Sequence, residues 1–230
     1  MKFKAVIFDL DGTLLDTLQD LGNSMNSVLS NHGFPIHEID DFRYFVGDGV
    51  ALLVERSLPV DRKDTETLNQ CVREFREEYD KSNNRMTKRY DGVAETLNGL
   101  SACDIRLAVL SNKPHDSTMR CMAEFFSGWE FDMILGQKDG IPRKPDPAGA
   151  LRITEFLKLK PEEILYVGDT GVDMSTAVSA GMFPVGALWG FREEKELRAS
   201  GALALIRKPQ EILSLIRDKS SEENSDSSGS

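Results

Sequence analysis

The stretch Ala5-Val6-Ile7-Phe8-Asp9-Leu10-Asp11-Gly12-Thr13 is four apolar residues that run straight into two acids and a glycine. An unbroken apolar run of strand length is what a strand covered on both faces needs; a strand with one wet face would alternate. Two later segments repeat the design. Ile105-Arg106-Leu107-Ala108-Val109-Leu110 runs into Ser111-Asn112, and Ile164-Leu165-Tyr166-Val167 runs into Gly168-Asp169. Helix-length segments flank them at 93–100, 117–126, 147–157 and 172–180, and further strands are expected at 133–135, 183–188 and 202–206. Strand alternating with helix predicts an α/β fold, a Rossmann-like parallel sheet core with helical crossovers.

One region breaks the alternation. Between Thr17 and about Asn84 only helix-period patterns occur: Leu18, Leu21, Met25, Val28 and Leu29, then Val50, Leu53, Val54 and Leu58, then Leu68, Cys71, Val72, Phe75 and Tyr79. The expected organisation is an α/β core made of 1–16 and 85–219, interrupted by an all-helical insert at 17–84. The tail at 220–230, SSEENSDSSGS, is acidic and without an apolar anchor, and disorder is expected there.

Composition excludes several classes. The 230 residues are 40% apolar and 29% charged, with a net charge of −10. A nucleic-acid backbone or an anionic membrane surface calls for a basic face, so no nucleic acid and no membrane is expected as a partner. No window approaches the ~20 apolar residues of a membrane span. The apolar run before Asp9 is too short for a signal peptide. Three widely spaced cysteines without a CxxC pair read as reduced thiols, and the expected compartment is cytoplasmic.

In an open parallel sheet, ligands bind beyond the carboxyl ends of the strands. Those ends carry Asp9, Asp11, Ser111, Asn112, Gly168 and Asp169, with Asp173 four residues on; Lys144 stands in the turn Lys144-Pro145-Asp146-Pro147. Four carboxylates on one edge repel unless a cation sits among them. An oxygen-only set favours a hard ion, Mg²⁺ before Zn²⁺. A metal among carboxylates suggests phosphate chemistry. A carboxylate attacking a phosphate meets roughly 4 kcal/mol of repulsion per charge pair at about 4 Å and an effective dielectric of about 20. A metal and a cationic side chain must offset it. Lys144 can supply the cation, and Arg143 beside it is the alternative. Ser111 and the amides of the 9–13 loop can hold phosphate oxygens. Asp173 reads equally as a metal ligand or as an acid favoured at a helix N-terminus.

On Asp9-Leu10-Asp11-Gly12-Thr13, Ser111-Asn112-Lys113, Lys144-Pro145-Asp146-Pro147 and Gly168-Asp169-Thr170 with Asp173, the chain resembles the haloacid dehalogenase superfamily of phosphohydrolases. The segments Asp16-Thr17-Leu18-Gln19-Asp20-Leu21 and Val46-Gly47-Asp48-Gly49-Val50 resemble its phosphoglycolate phosphatase-like members. The resemblance implies that Asp9 is the nucleophile and that Asp11 is the acid and then the base. It implies phosphate binding by Ser111, Asn112 and Lys144. Mg²⁺ would be held by Asp9, the main-chain carbonyl of Asp11, Asp169 and Asp173. The helical insert would be a cap domain closing over a small phosphate ester, 2-phosphoglycolate first. Rival readings are a pyrophosphatase or broad sugar-phosphate phosphatase, a receiver-like phospho-accepting module, a dehalogenase, and a phosphomutase. Asp11 argues against the dehalogenase. The mutase branch carries a histidine where this chain has Leu21.

Overall fold

The computed structural model describes residues 3–217, so the tail expected to be disordered lies outside the described residues. The strands are β1 (Ala5–Phe8), β2 (Leu15–Asp16), β3 (Lys88–Arg89), β4 (Arg106–Pro114), β5 (Met133–Gln137), β6 (Ile164–Gly168), β7 (Phe183–Ala187) and β8 (Ala204–Ile206). The helices of the first half are α1 (Leu18–Asn31), α2 (Phe42–Phe45), α3 (Val50–Ser57), α4 (Thr65–Ser82) and α5 (Val93–Ser101). Those of the second are α6 (His115–Phe125), α7 (Ala148–Leu157), α8 (Gly171–Ser179), α9 (Glu194–Ala199) and α10 (Glu211–Arg217).

Six strands form a parallel sheet in the order β5-β4-β1-β6-β7-β8. The unbroken apolar runs have a direct cause. Val6 and Phe8 of β1, Leu107 and Val109 of β4, and Leu165 and Val167 of β6 enter one apolar cluster, with Val93, Leu97, Met122 and Ile212. Their alternates, Ala5 and Ile7, Ala108 and Leu110, Ile164 and Tyr166, enter a second cluster with Ala150, Ile153 and Ala177. The apolar runs of these central strands are therefore buried on one side or the other. The chain adds strands first on the β4 side of β1 and then on the β6 side. That reversal places a crevice at the carboxyl end of β1.

Helices α1 to α4 pack on a cluster of their own, including Leu18, Met25, Val28, Phe42, Leu53, Val54, Cys71 and Phe75. Asp64 starts α4 by accepting hydrogen bonds from the amides of Glu66 and Thr67, and Asn83 stops it in the left-handed conformation. The insert leaves and rejoins the core through β2 and β3, an antiparallel pair with Leu15 opposite Arg89 and Asp16 opposite Lys88. Buried Asp20 of α1 braces the return, accepting from the Met86 amide at 3.0 Å and the Thr87 hydroxyl at 2.6 Å. Strand β4 runs on through Ser111–Lys113 to Pro114, beyond the expected end at Leu110, by way of a register break against β5. Helix α6 starts at His115, with no side-chain cap from the Ser111-Asn112 pair. Cys71, Cys103 and Cys121 are free thiols, and among the described residues no helix is long and apolar enough to cross a membrane.

Candidate active site

Asp9 follows β1 directly, its amide donating to Val167 O of β6 at 2.9 Å, and its side chain is buried. Asp169 follows β6. Asp173 is the third residue of α8, where its carboxylate and the Thr170 hydroxyl cap the helix reciprocally. Carboxylate oxygens of Asp9, Asp169 and Asp173 lie within 4.8 Å of one another, all three side chains buried. Asp173 thus takes the place of an acid at a helix N-terminus and also stands in the acid cluster.

Lys144 reaches into this cluster, its Nζ 2.6 Å from Asp173 Oδ1 and 2.9 Å from Asp9 Oδ1. The second approach is an ion pair without hydrogen-bond alignment, so Asp9 Oδ1 is buried with no hydrogen bond. Arg143 is exposed, with its guanidinium beside Gly49, so Lys144 is the cation that the fold brings to Asp9. Asp169 is held from both sides: Oδ1 accepts from the Thr13 hydroxyl at 2.9 Å and Oδ2 from the Phe191 amide at 2.8 Å. A Cβ on Gly12 or on Gly190 would overlap the Asp169 side chain, so glycine is required at both places.

Burial, only partly opposed by Lys144 and reinforced by Asp173 and Asp11, pushes the Asp9 carboxyl up to about 7. Burial, with Asp173 and Asp9 alongside, holds Asp169 well above the usual carboxylate range. Burial draws Lys144 down, but Asp173 and Asp9 outweigh it and hold the ammonium well above its ordinary value. Of the three carboxylates, Asp9 and Asp173 share one lysine. The donor set is oxygen only, and one buried carboxylate oxygen has no hydrogen bond. These residues fit a hard divalent cation.

Asp11 points elsewhere. Its carboxylate oxygens lie 3.1 and 3.3 Å from Lys113 Nζ, outside the cluster of three, so only its main-chain carbonyl remains for a metal. Lys113 also donates to the Tyr79 hydroxyl of α4 at 2.8 Å, and it sits 4.4 Å from that ring's centroid. Ser111 is buried on the same strand, its Oγ accepting from the Lys113 amide at 3.2 Å. Asn112, grouped with the phosphate-binding residues by its motif, has its side chain committed: Nδ2 donates to Gly47 O and Lys144 O, and Oδ1 accepts from the Lys144 amide. It positions Lys144 and anchors the 46–50 loop of the insert.

A cavity of about 630 Å³ lies between the core and the insert. Asp9, Asp11, Ser111 and Lys113 line its core side, and Leu21, Val46, Leu53, Phe75, Arg76 and Tyr79 line the other. The segment Trp189-Gly190-Phe191-Arg192 ties the two sides together. Trp189 Nε1 donates to Thr13 O at 3.0 Å, Gly190 O accepts from Arg43, the Phe191 ring enters the insert's own apolar cluster, and Arg192 donates to Val46 O at 2.9 Å. No acid or motif in the sequence marks this segment, and the motifs assign no role to Lys113 or Tyr79.

A haloacid dehalogenase-like hydrolase family model matches residues 6–187. A phosphoglycolate phosphatase of Psychrobacter arcticus is 33% identical over 207 residues, covering 86% of this chain and 89% of the relative. One from Nitrosospira multiformis is 32% identical over 226 residues, covering 96% and 98%. The crystal structure of a predicted phosphoglycolate phosphatase from Haemophilus somnus superposes with a TM-score of 0.86 at 29% identity, covering 94% of this chain and 99% of that one.

Proposed function

Since the chain belongs to the haloacid dehalogenase-like hydrolases and is a phosphatase, we propose that it is a Mg²⁺-dependent phosphomonoesterase that works through an aspartyl-phosphate on Asp9, with 2-phosphoglycolate its leading substrate. The observation that carries this reading is the separation of the two acids. Asp9 lies in the buried carboxylate cluster with Lys144, while Asp11 faces the cavity beside Lys113. A nucleophile belongs with the charges that steady a phosphoryl group. A proton carrier belongs where the departing alcohol and the incoming water pass.

A carboxylate oxygen of Asp9 attacks phosphorus, and the bond from phosphorus to the ester oxygen breaks. Asp11 gives its proton to that oxygen as the alcohol leaves. Asp11, now a carboxylate, takes a proton from water. The hydroxide formed attacks the phosphorus of the acyl phosphate, returning Asp9 and releasing phosphate. Lys144 offsets charge on the phosphoryl oxygens, Ser111 offers a hydroxyl to one of them, and Asn112 fixes the Lys144 main chain. Asp9, the carbonyl of Asp11, Asp169, and Asp173 directly or through water would hold the ion. When bound, it screens the repulsion between Asp9 and the phosphate. Helices α1 to α4 serve as the cap, shutting water away from the reacting groups.

Two relatives that span nearly the whole chain act, by their names, on phosphoglycolate. Leu21 lines the cavity without a polar group that would favour transfer to a sugar hydroxyl over hydrolysis. The cavity volume also admits larger esters, which keeps a sugar-phosphate phosphatase or pyrophosphatase as the second reading. The test compares kcat/KM for 2-phosphoglycolate, pyrophosphate, β-glucose 1-phosphate and common sugar phosphates. We expect 2-phosphoglycolate to lead. A rival ahead by about tenfold, roughly 1.4 kcal/mol at the transition state, would replace it. Full turnover after exhaustive chelation would sink the metal assignment.

A further inference from the structure

We propose that Lys113 is a specificity residue that binds a second negative charge, a carboxylate carried by the leaving group, close to the ester oxygen. The assignment rests on the phosphomonoesterase reading above and names the chemistry of the substrate's other end.

Of the two buried lysines among the described residues, Lys144 and Lys113, Lys113 is the one that the phosphoryl chemistry leaves over. Its side chain is 3% exposed, yet it lines the cavity. The phosphoryl group is answered by Lys144, which is paired with Asp9 and Asp173. Asp11 fixes where the leaving group must lie, because a proton carrier works within about 2.6–3.2 Å of the oxygen that it serves. Lys113 Nζ is 3.1 Å from Asp11 Oδ1. A carboxylate one methylene from the ester oxygen therefore falls within hydrogen-bond reach of that ammonium.

The surroundings suit an anion. The Tyr79 hydroxyl, 2.8 Å from Lys113 Nζ, comes from α4 and sets the ammonium from the cap side. Arg76, one turn earlier on the same helix, lines the same cavity exposed, and among the described residues it has neither a hydrogen bond nor an ion pair. An ester with an uncharged tail leaves both cations without a substrate partner. A tail carboxylate adds a charge-assisted pair to an ammonium that is itself buried.

The experiment uses the full chain with Mg²⁺ and two esters of equal length: 2-phosphoglycolate, and ethyl phosphate, in which a methyl replaces the carboxylate. The readout is the ratio of their kcat/KM values, in which any loss through Asp11 common to both esters cancels. We expect the native chain to prefer the carboxylate by about tenfold or more, Lys113→Met to erase most of that preference, and Lys113→Arg to keep most of it. A native ratio near one, which needs no variant to fold, overturns the assignment. So does an equal loss on both esters in folded Lys113→Met, which would leave Lys113 a partner of Asp11 alone. Brisk native hydrolysis of sugar phosphates with no measurable rate on either small ester overturns the proposed substrate class and this assignment together.

Discussion

Asp9 and Asp11 stand two residues apart and meet opposite surroundings: Asp9 the buried acid cluster, Asp11 the Lys113 ammonium. Asp9→Asn keeps the shape and removes the nucleophile. Turnover should fall to background while circular dichroism stays native, with deamidation excluded by mass spectrometry. Asp11→Asn loses both proton transfers and should slow kcat by about 10²–10⁴-fold. Gly190 answers a steric demand. Its missing side chain lets the Trp189–Arg192 segment lie against Asp169 and the main chain of Gly12. Gly190→Ala should cost about 1–3 kcal/mol through overpacking, read as a lowered urea midpoint, and should lower kcat by displacing Asp169.

At the scale of elements, each strand of the site delivers its residues at its carboxyl end, and this made most of the site legible in advance. Asp9, Ser111 and Asp169 each follow an apolar run that a buried strand needs, so pattern and chemistry coincide. The pair β2 and β3 left no trace, because two-residue strands are too short to show a period. Lys113 was unreadable because the partner that gives it meaning, Tyr79, is 34 residues earlier on another element. Phe191 was hidden for a different reason. It bonds Asp169 through a main-chain amide, which any residue but proline could supply, and its ring fills a cluster that belongs to helices far back in the chain. Phe191→Ala should therefore destabilise by about 3–5 kcal/mol, checked by denaturant unfolding, and weaken Mg²⁺ binding measured by calorimetry; Phe191→Leu should be milder on both counts.

For the whole molecule, the buried acids link metal, proton and stability. Without metal, folded Asp9 holds its proton up to about pH 7, against 3.8 for an unperturbed aspartate. Between those values the folded chain binds more protons than the unfolded one, so stability from this group is full below pH 3.8 and is lost as pH rises through about 7. In excess chelator, the thermal midpoint should fall between pH 5 and pH 8. Added Mg²⁺ should restore more at pH 8 than at pH 5, since the ion competes with the proton. Asp9→Asn should flatten the chelated profile. A chelated midpoint that rises across that range would contradict the burial of Asp9. The pair β2 and β3 has a consequence of another kind. With Asp16 beside Lys88, everything from 17 to 87 is, for the sheet, a loop whose ends are already closed. Loop-closure entropy grows only logarithmically, by about 0.6 kcal/mol for each doubling of length. The sheet is thus nearly indifferent to how much chain the insert contains. A different helical insert that still offers Phe191 an apolar socket could be exchanged at this doorway, changing which molecules are admitted while the acids at the strand ends stay where they are.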